Sequence, residues 1–466
     1  MALQLESDRK LSIVLRNSAV VAAGRGIGIV ATLVTVPVLV RVLGLHGYGT
    51  WEAILALGYV ASMFQLPIGG AVLWQSSHAY GQGNLKQMAN SCWTGLVCNV
   101  GLILVLVPLL FATNAWLTNA LHIANEYREA VQRAVPWVIV GFLIIGVGET
   151  FAGVVDGCQR MDLSVSVRSF GQIASSIVFI LGVINGLGFD ALILGKMVEA
   201  FLTAFGHVMC ALWLCGKELL LPPSVFSLTK DLKKFLGYSG QLVIGYISSA
   251  LREQTDKLVL TSFASADWTG AYSIAAKMSG LVNEAVRYCY APITAASGAM
   301  ASVGDFQSLS VLYRRGSIAV GALTGFLTCL FVGFHKNIVM IWTGRWDERI
   351  TPILLILAFG NLVAVAYTGV GTAICRGIGA IHLQTVFILA SLFVNAVLTV
   401  ILVLTIGAIG TVIASSTAWT LGSVAFVWAF SKESKLPVKQ VALTTTYIVL
   451  FTLLLTAIFY IVARFA

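Results

Sequence analysis

The chain has 466 residues, 58% of them hydrophobic and only 11% charged, with a mean hydropathy of +0.90. Ordinary soluble domains carry about 25% charged residues, so this composition excludes a soluble globular protein and requires apolar surface facing lipid. The formal charge of +9 does not mark a nucleic-acid groove, because the basic residues sit in short connectors between apolar runs.

Residues 1–16 are polar and precede the apolar run 17–43, which is too long for a signal-peptide core and is predicted to stay as the first span. Further spans of about 20 or more residues are predicted at 49–75, 89–112, 134–156, 168–186, 189–215, 237–263, 270–297, 316–334, 350–375, 383–406, 407–430 and 441–464. The fifth and the last carry the weakest signal. With a cytoplasmic N-terminus, sixteen lysines and arginines fall in connectors on that side, Arg160, Arg168 and Arg376 among them, against six on the other. The positive-inside rule therefore orients the chain with its N-terminus in the cytoplasm.

The longest connector, 216–236, holds Pro222-Pro223 and an amphipathic, lysine-bearing stretch at 228–236 expected to lie along the inner membrane surface. It divides the chain into an N-terminal lobe (1–215), the linker (216–236), a C-terminal lobe (237–430) and an extra terminal span (431–466). No loop is long enough for a soluble catalytic domain, which disfavours a membrane glycosyltransferase or polymerase. No Walker motif, metal-ligand cluster or nucleophile triad is present. The expectation is a transporter without cofactor or resident metal, driven by an ion gradient, the membrane potential or downstream consumption. The eight cysteines include no CxxC pair and read as small hydrophobes of helices.

The chemistry is concentrated in two neighbouring apolar runs with ionisable residues in their middles. One carries Arg252, Glu253, Asp256 and Lys257, the next Lys277, Glu284 and Arg287. A charge at bilayer depth costs roughly 2.5–3.5 kcal/mol on insertion scales unless it meets a partner or a water-filled cavity. Lys277, Glu284 and Arg287 recur at seven and then three residues, so they share one helix face. Arg252 with Asp256, and Glu253 with Lys257, are four apart and suited to ion pairs. Arg25, between Gly24 and Gly26, is a further intramembrane cation. Arg25, Arg252, Lys277 and Arg287 are thus the intramembrane cations of a polar pathway, for which a charged substrate or a coupling ion is the expected reason. Glu284, Asp256 and Glu253 are the candidates for ion coupling.

Other positions support blander readings. Lys196 and Glu199, three apart in the sixth span, are expected to pair with each other. Arg41 and Glu52 are expected to reach the interface. His207 is a proton-relay candidate, with a hydrogen-bonded packing role the more ordinary expectation. The glycines around Arg25 and at Gly377 and Gly379 lack a preceding strand and read as close helix packing, not nucleotide loops.

The two halves echo each other at an offset of about 220 residues: Gly47-Tyr48-Gly49 against Gly270-Ala271-Tyr272, and Cys158-Gln159-Arg160 against Cys375-Arg376. Six spans per half give a parallel repeat. The segment Pro37-Val-Leu-Val-Arg41-Val-Leu43-Gly44-Leu-His-Gly47-Tyr48-Gly49-Thr-Trp51 resembles the first hairpin of the Wzx-type polysaccharide flippases of the multidrug/oligosaccharidyl-lipid/polysaccharide exporter superfamily. Asp256-Lys257-Leu-Val-Leu followed by Gly270-Ala271-Tyr272-Ser-Ile-Ala-Ala-Lys277, and Gly157-Cys-Gln-Arg160-Met-Asp162-Leu, are similar to the matching segments. Gln65 stands where that family often has an acid.

The resemblance implies an all-α polytopic membrane protein of about 12–14 transmembrane helices in two parallel six-helix lobes, MATE-like. It further implies a bacterial inner-membrane flippase for an undecaprenyl-pyrophosphate-linked oligosaccharide of O-antigen or exopolysaccharide type, whose pyrophosphate needs fixed cations in place of its water, with Arg25, Arg252, Lys277 and Arg287 the candidates for holding it. Its partners would be membrane lipids and the polysaccharide polymerase and chain-length machinery, with no nucleic acid. The alternatives are a cation-coupled multidrug exporter of the same fold and a lipid II flippase.

Overall fold

The computed structural model describes residues 2–121, 125–223, 251, 254–287, 290–302, 304–434 and 436–465. The chain is all-α, with no strand among the described residues, and its contacts divide it into two units, Met1–Ala250 and Leu251–Ala466. Ten of the described helices are long and apolar enough to cross a membrane. The predicted fifth and last spans are among them.

The first unit contains α1 (Ala2–Ser62), α2 (Leu66–Gly81), α3 (Leu85–Ala120), α4 (Asn125–Gly157), α5 (Met161–Ile184) and α6 (Phe189–Cys215), then a 3₁₀ turn (Gly216–Leu220). The predicted first turn at Gly47-Tyr48-Gly49 is helical instead. The chain turns at Gly44, whose φ of 74° and ψ of 175° interrupt α1. Glycine takes that left-handed conformation without the Cβ clash that would strain any other residue. The predicted continuous span 49–75 is broken as well, by a turn at 63–65. Pro67 in the first turn of α2 supplies the reason: it has no backbone N–H to donate and its ring would clash with the carbonyl four residues back, so it suits only the first turn of a new helix.

α4 is the axis of this unit, packed against α1, α2, α3 and α6. Its glycines let the backbones approach. A Cβ on Gly153 would lie 2.7 Å from the Gly69 carbonyl oxygen and 3.0 Å from the Leu73 amide, contacts with backbone that cannot give way. Gly153→Leu is therefore expected to cost about 1–3 kcal/mol or more and to cut the yield of monodisperse protein on fluorescence-detected size exclusion. Gly101→Leu, with open space around its Cβ, should leave that yield unchanged.

The second unit begins, among its described residues, with α7 (254–263). It continues through α8 (Ala266–Arg287), α9 (Tyr290–Ser302), α10 (Phe306–Gly333), the short α11 (His335–Thr343), α12 (Ile350–Ile378), α13 (Ile381–Ile406), α14 (Ala408–Glu433) and α15 (Val438–Phe465). α12 is its axis, touching α8, α9, α10 and α14. Its small residues, from Gly360 to Gly371, are buried where neighbouring helices close in. Val320, Ile374, Phe426 and Phe430 lie at the centre of the apolar core. The amphipathic stretch 228–236 lies outside the described residues.

Candidate functional site

Polar side chains gather at one place in the first unit and two in the second. In the first, Arg168 on α5 reaches Glu149 on α4 with both arms of its guanidinium, Nε to Oε1 at 2.8 Å and Nη2 to Oε2 at 2.6 Å. Asp156, two turns further along α4, lies 3.8 Å from the same guanidinium and accepts from the Ser164 hydroxyl. Placing Arg168 in a cytoplasmic connector was thus incorrect: α5 starts at Met161, two turns earlier than the apolar run suggests, and draws the arginine into the lobe. Neither Glu149 nor Asp156 stood out in the sequence, because each is a lone acid in a long apolar stretch. Their distance of seven residues, one face of a helix, was the available signal.

Further along α4, the Asn99 amide donates to the Thr150 hydroxyl at 2.6 Å, and Gln65, at the break before α2, donates to the Leu143 carbonyl at 3.3 Å. Lys196 pairs with Glu199 at 3.1 Å and sits over the Phe142 ring, as their spacing predicts. Glu52 does not reach an interface. It is buried and accepts from the Tyr48 hydroxyl at 2.9 Å, since Tyr48 lies one turn back on the same face. Arg25 is exposed on α1 and makes no hydrogen bond or ion pair among the described residues. Its neighbours Gly24 and Gly28 pack against Val165 and Gln172 of α5, which accounts for the glycines without any phosphate loop.

In the second unit, Asp256 is 1% exposed on α7. Its Oδ2 accepts from the Tyr272 hydroxyl of α8 at 2.7 Å and from the Ser415 hydroxyl of α14. The Asn395 amide of α13 donates to Ser415 at 2.7 Å. Four helices thus converge on one buried carboxylate. Arg252 and Glu253, expected to share this region, lie outside the described residues.

α8 carries Lys277, Glu284 and Arg287 at the predicted spacing, and Arg287 binds Glu284 at 2.8 Å. Lys277 is half-buried two turns earlier on the helix. Arg376, assigned from sequence only to a connector, sits at the end of α12 close enough to Arg287 for the two charges to repel. Gln384 at the start of α13 holds its Nε at 2.8 Å. Arg287 with Glu284 near the end of α8 and Arg376 near the end of α12 therefore stand on two packed helices, two arginines to one acid, leaving an excess of positive charge. Below them Asn283, Asn361 and Ser279 form a hydrogen-bonded chain between α8 and α12.

An apolar groove of about 550 Å³ runs between α10 and α15, lined by Phe326, Leu330, Tyr447, Ile448 and Phe451. Among the described residues no group of three His, Cys, Asp or Glu side chains is placed to hold a metal ion.

A polytopic helical protein with a cation-rich site and no catalytic constellation in its sequence matches the polysaccharide biosynthesis protein family over residues 14–296. The chain belongs to that family. No curated protein sequence matches it. Among solved structures it is similar to an inward-facing multidrug-resistance MATE transporter of the MOP superfamily, with TM-score 0.70 and 16% identity over 89% of this chain and 96% of that one. It is also similar to the lipid II flippase MurJ in an inward closed conformation, with TM-score 0.68 and 13% identity over 97% and 98%. A MOP-superfamily transporter from Pyrococcus furiosus, described as having a binding pocket of reversed polarity, gives TM-score 0.59 and 14% identity over 92% and 96%. These likenesses establish the MATE-like fold.

Proposed function

We propose that this protein flips an undecaprenyl-pyrophosphate-linked oligosaccharide repeat unit from the cytoplasmic to the periplasmic leaflet of a bacterial inner membrane. The observation that carries the reading is the placement of Arg287 and Arg376 at the ends of two packed helices, α8 and α12, with Glu284 the acid that pairs with Arg287. Two guanidiniums brought within mutual repulsion by separate helices are stabilised by a shared anion, and each presents a fork that matches phosphate oxygens bidentately. With the N-terminus in the cytoplasm, the ends of α8 and α12 that carry them face the leaflet where the substrate is made. The groove between α10 and α15 offers a surface suited to a long hydrocarbon chain, with Tyr447 in its lining.

Glu284 completes the site as a gate. Its carboxylate neutralises Arg287 in the resting state, and its protonation releases the guanidinium toward an anion. The multidrug alternative calls for an acidic pocket to hold cationic drugs, and the excess of arginine over acid at α8 and α12 weighs against it. The lipid II alternative differs only in the sugars. Polymerase and chain-length machinery would act on the flipped product.

Depleting the protein in its host should cause a lipid-linked oligosaccharide to accumulate on the cytoplasmic face, where a membrane-impermeant glycosidase in intact spheroplasts does not reach it. Accumulation of lipid II with intact surface glycan would assign the other lipid substrate. Drug sensitivity with neither lipid accumulating would support the exporter.

A further inference from the structure

The cluster on α4, α5 and α6 has no part in holding the anion proposed above, yet its charges do not balance. Glu149 and Asp156 set two carboxylates against the single guanidinium of Arg168. With both acids ionised, one negative charge is left over in a span, where an uncompensated charge is costly. His207 of α6 stands beside this cluster, fully buried, and its charge couples to Glu149 and Arg168.

The hydrogen bonds around the ring are those of a site short of one proton. Nε2 lies 3.2 Å from the Ser164 carbonyl oxygen, which can only accept, so Nε2 carries a hydrogen. In a neutral ring Nδ1 is then an acceptor that needs a donor. None is provided, and Nδ1 has no hydrogen-bond partner although it is buried. The remaining backbone group that faces the ring is the carbonyl of Gly148, another acceptor. An imidazolium, with a donor on each nitrogen, keeps the bond to the Ser164 carbonyl, no longer needs a donor at Nδ1, and cancels the surplus carboxylate charge in the same step.

The charged groups facing the ring are Glu149 from α4 and Arg168 from α5, with Asp156 behind them against the guanidinium. Among the described residues, α3 and the 3₁₀ turn bring no charged group to the ring. Lys196 and Glu199 on α6 pair with each other. A larger cation has no place here, because Arg168 occupies the position between the two carboxylates. The side chains of Glu149 and Arg168 are 26% and 39% exposed, so a proton can enter along them to the buried imidazole.

We infer that His207, with Glu149, Asp156 and Arg168, forms a proton-binding site of the first lobe, which takes up one proton and thereby switches the cluster from a net negative charge to neutrality. The site belongs to one lobe and is tested without substrate, so its failure leaves the transport reading standing, and the reverse holds too.

The test is solid-state NMR of the full-length protein in lipid vesicles, with histidine labelled on its ring nitrogens, between pH 5 and pH 9. The chain contains a single His-Val pair, His207-Val208. Combined labelling of histidine and valine therefore assigns the signal without a variant. The expected result is conversion of that ring from imidazolium to neutral imidazole within this range, with the midpoint lowered by about one pH unit in Glu149→Gln. Asp156→Asn, further from the ring, should lower it less. A His207 ring that stays neutral down to pH 5 would overturn the assignment. So would a midpoint that does not move in either carboxylate variant.

Discussion

Replacing Arg287 and Arg376 together by alanine should abolish surface glycan while leaving the abundance of the protein close to normal. Both residues are exposed at the ends of their helices, so neither is needed to fill the core. A hydrogen bond to a charged group contributes about 1.5–3 kcal/mol, and two guanidiniums lost from one pyrophosphate should slow transport by about 100-fold or more. Each single alanine variant should retain a fraction of the activity. Arg287→Lys should lie between alanine and wild type, because lysine keeps the charge and loses the fork. Flipping of lipid-linked oligosaccharide in proteoliposomes measures all of these, with surface glycan on gels as the cellular readout. A double variant that flips at the wild-type rate would move the anion contact elsewhere in the protein, with Arg25 the next residue to replace.

What could be read from the sequence divides along physical lines. The all-α membrane fold was legible because hydropathy over about 20 residues reports directly on a bilayer crossing. The face shared by Glu284 and Arg287 was legible because helical spacing is fixed by backbone geometry. Interruptions of helices were less so. The turn at Gly44 was placed three residues late, since Gly44, Gly47 and Gly49 all permit a turn and only the packing of α1 selects among them. The break before α2 was passed over although Pro67 marked it, because hydropathy continues unbroken through 63–65.

The least legible features are those that need two distant segments at once. Arg168 with Glu149, Arg376 with Arg287, and Asp256 with Ser415 each join residues on different helices. A single sequence carries no signal for such pairs. Arg168 and Arg376 were counted with the connectors because each lies near the edge of an apolar run, where a solvated lysine or arginine is the ordinary occupant. The topology rule treats such a residue as a charge in water, and for Arg168 the fold places it instead against two buried-side acids.

Asp256 should prove the more severe position of the second lobe. Its carboxylate is almost wholly inaccessible, and it is the acceptor on which hydroxyls from α8 and α14 converge, with Asn395 of α13 bound behind Ser415. Any change in its charge is felt by four helices at once, which is what a coupling residue requires: the ion must bind one arrangement of the helices better than another. Asp256→Asn keeps an oxygen for the Tyr272 and Ser415 hydroxyls and holds the site permanently neutral, as a bound cation would. This variant should fold, bind the lipid-linked oligosaccharide, and no longer respond to an imposed proton or sodium gradient. Asp256→Ala removes the acceptor as well, strands two buried hydroxyls at about 1–3 kcal/mol each, and should lower the yield of folded protein in addition. Proteoliposomes held at fixed membrane potential, with each gradient imposed in turn, separate the cases. Loss of the gradient response in Asp256→Asn with its retention in Glu284→Gln would place coupling at α7 and leave Glu284 the gate of the anion site. The opposite pattern would exchange the two roles, and an unaltered response in both variants would remove the second lobe's carboxylates from coupling altogether.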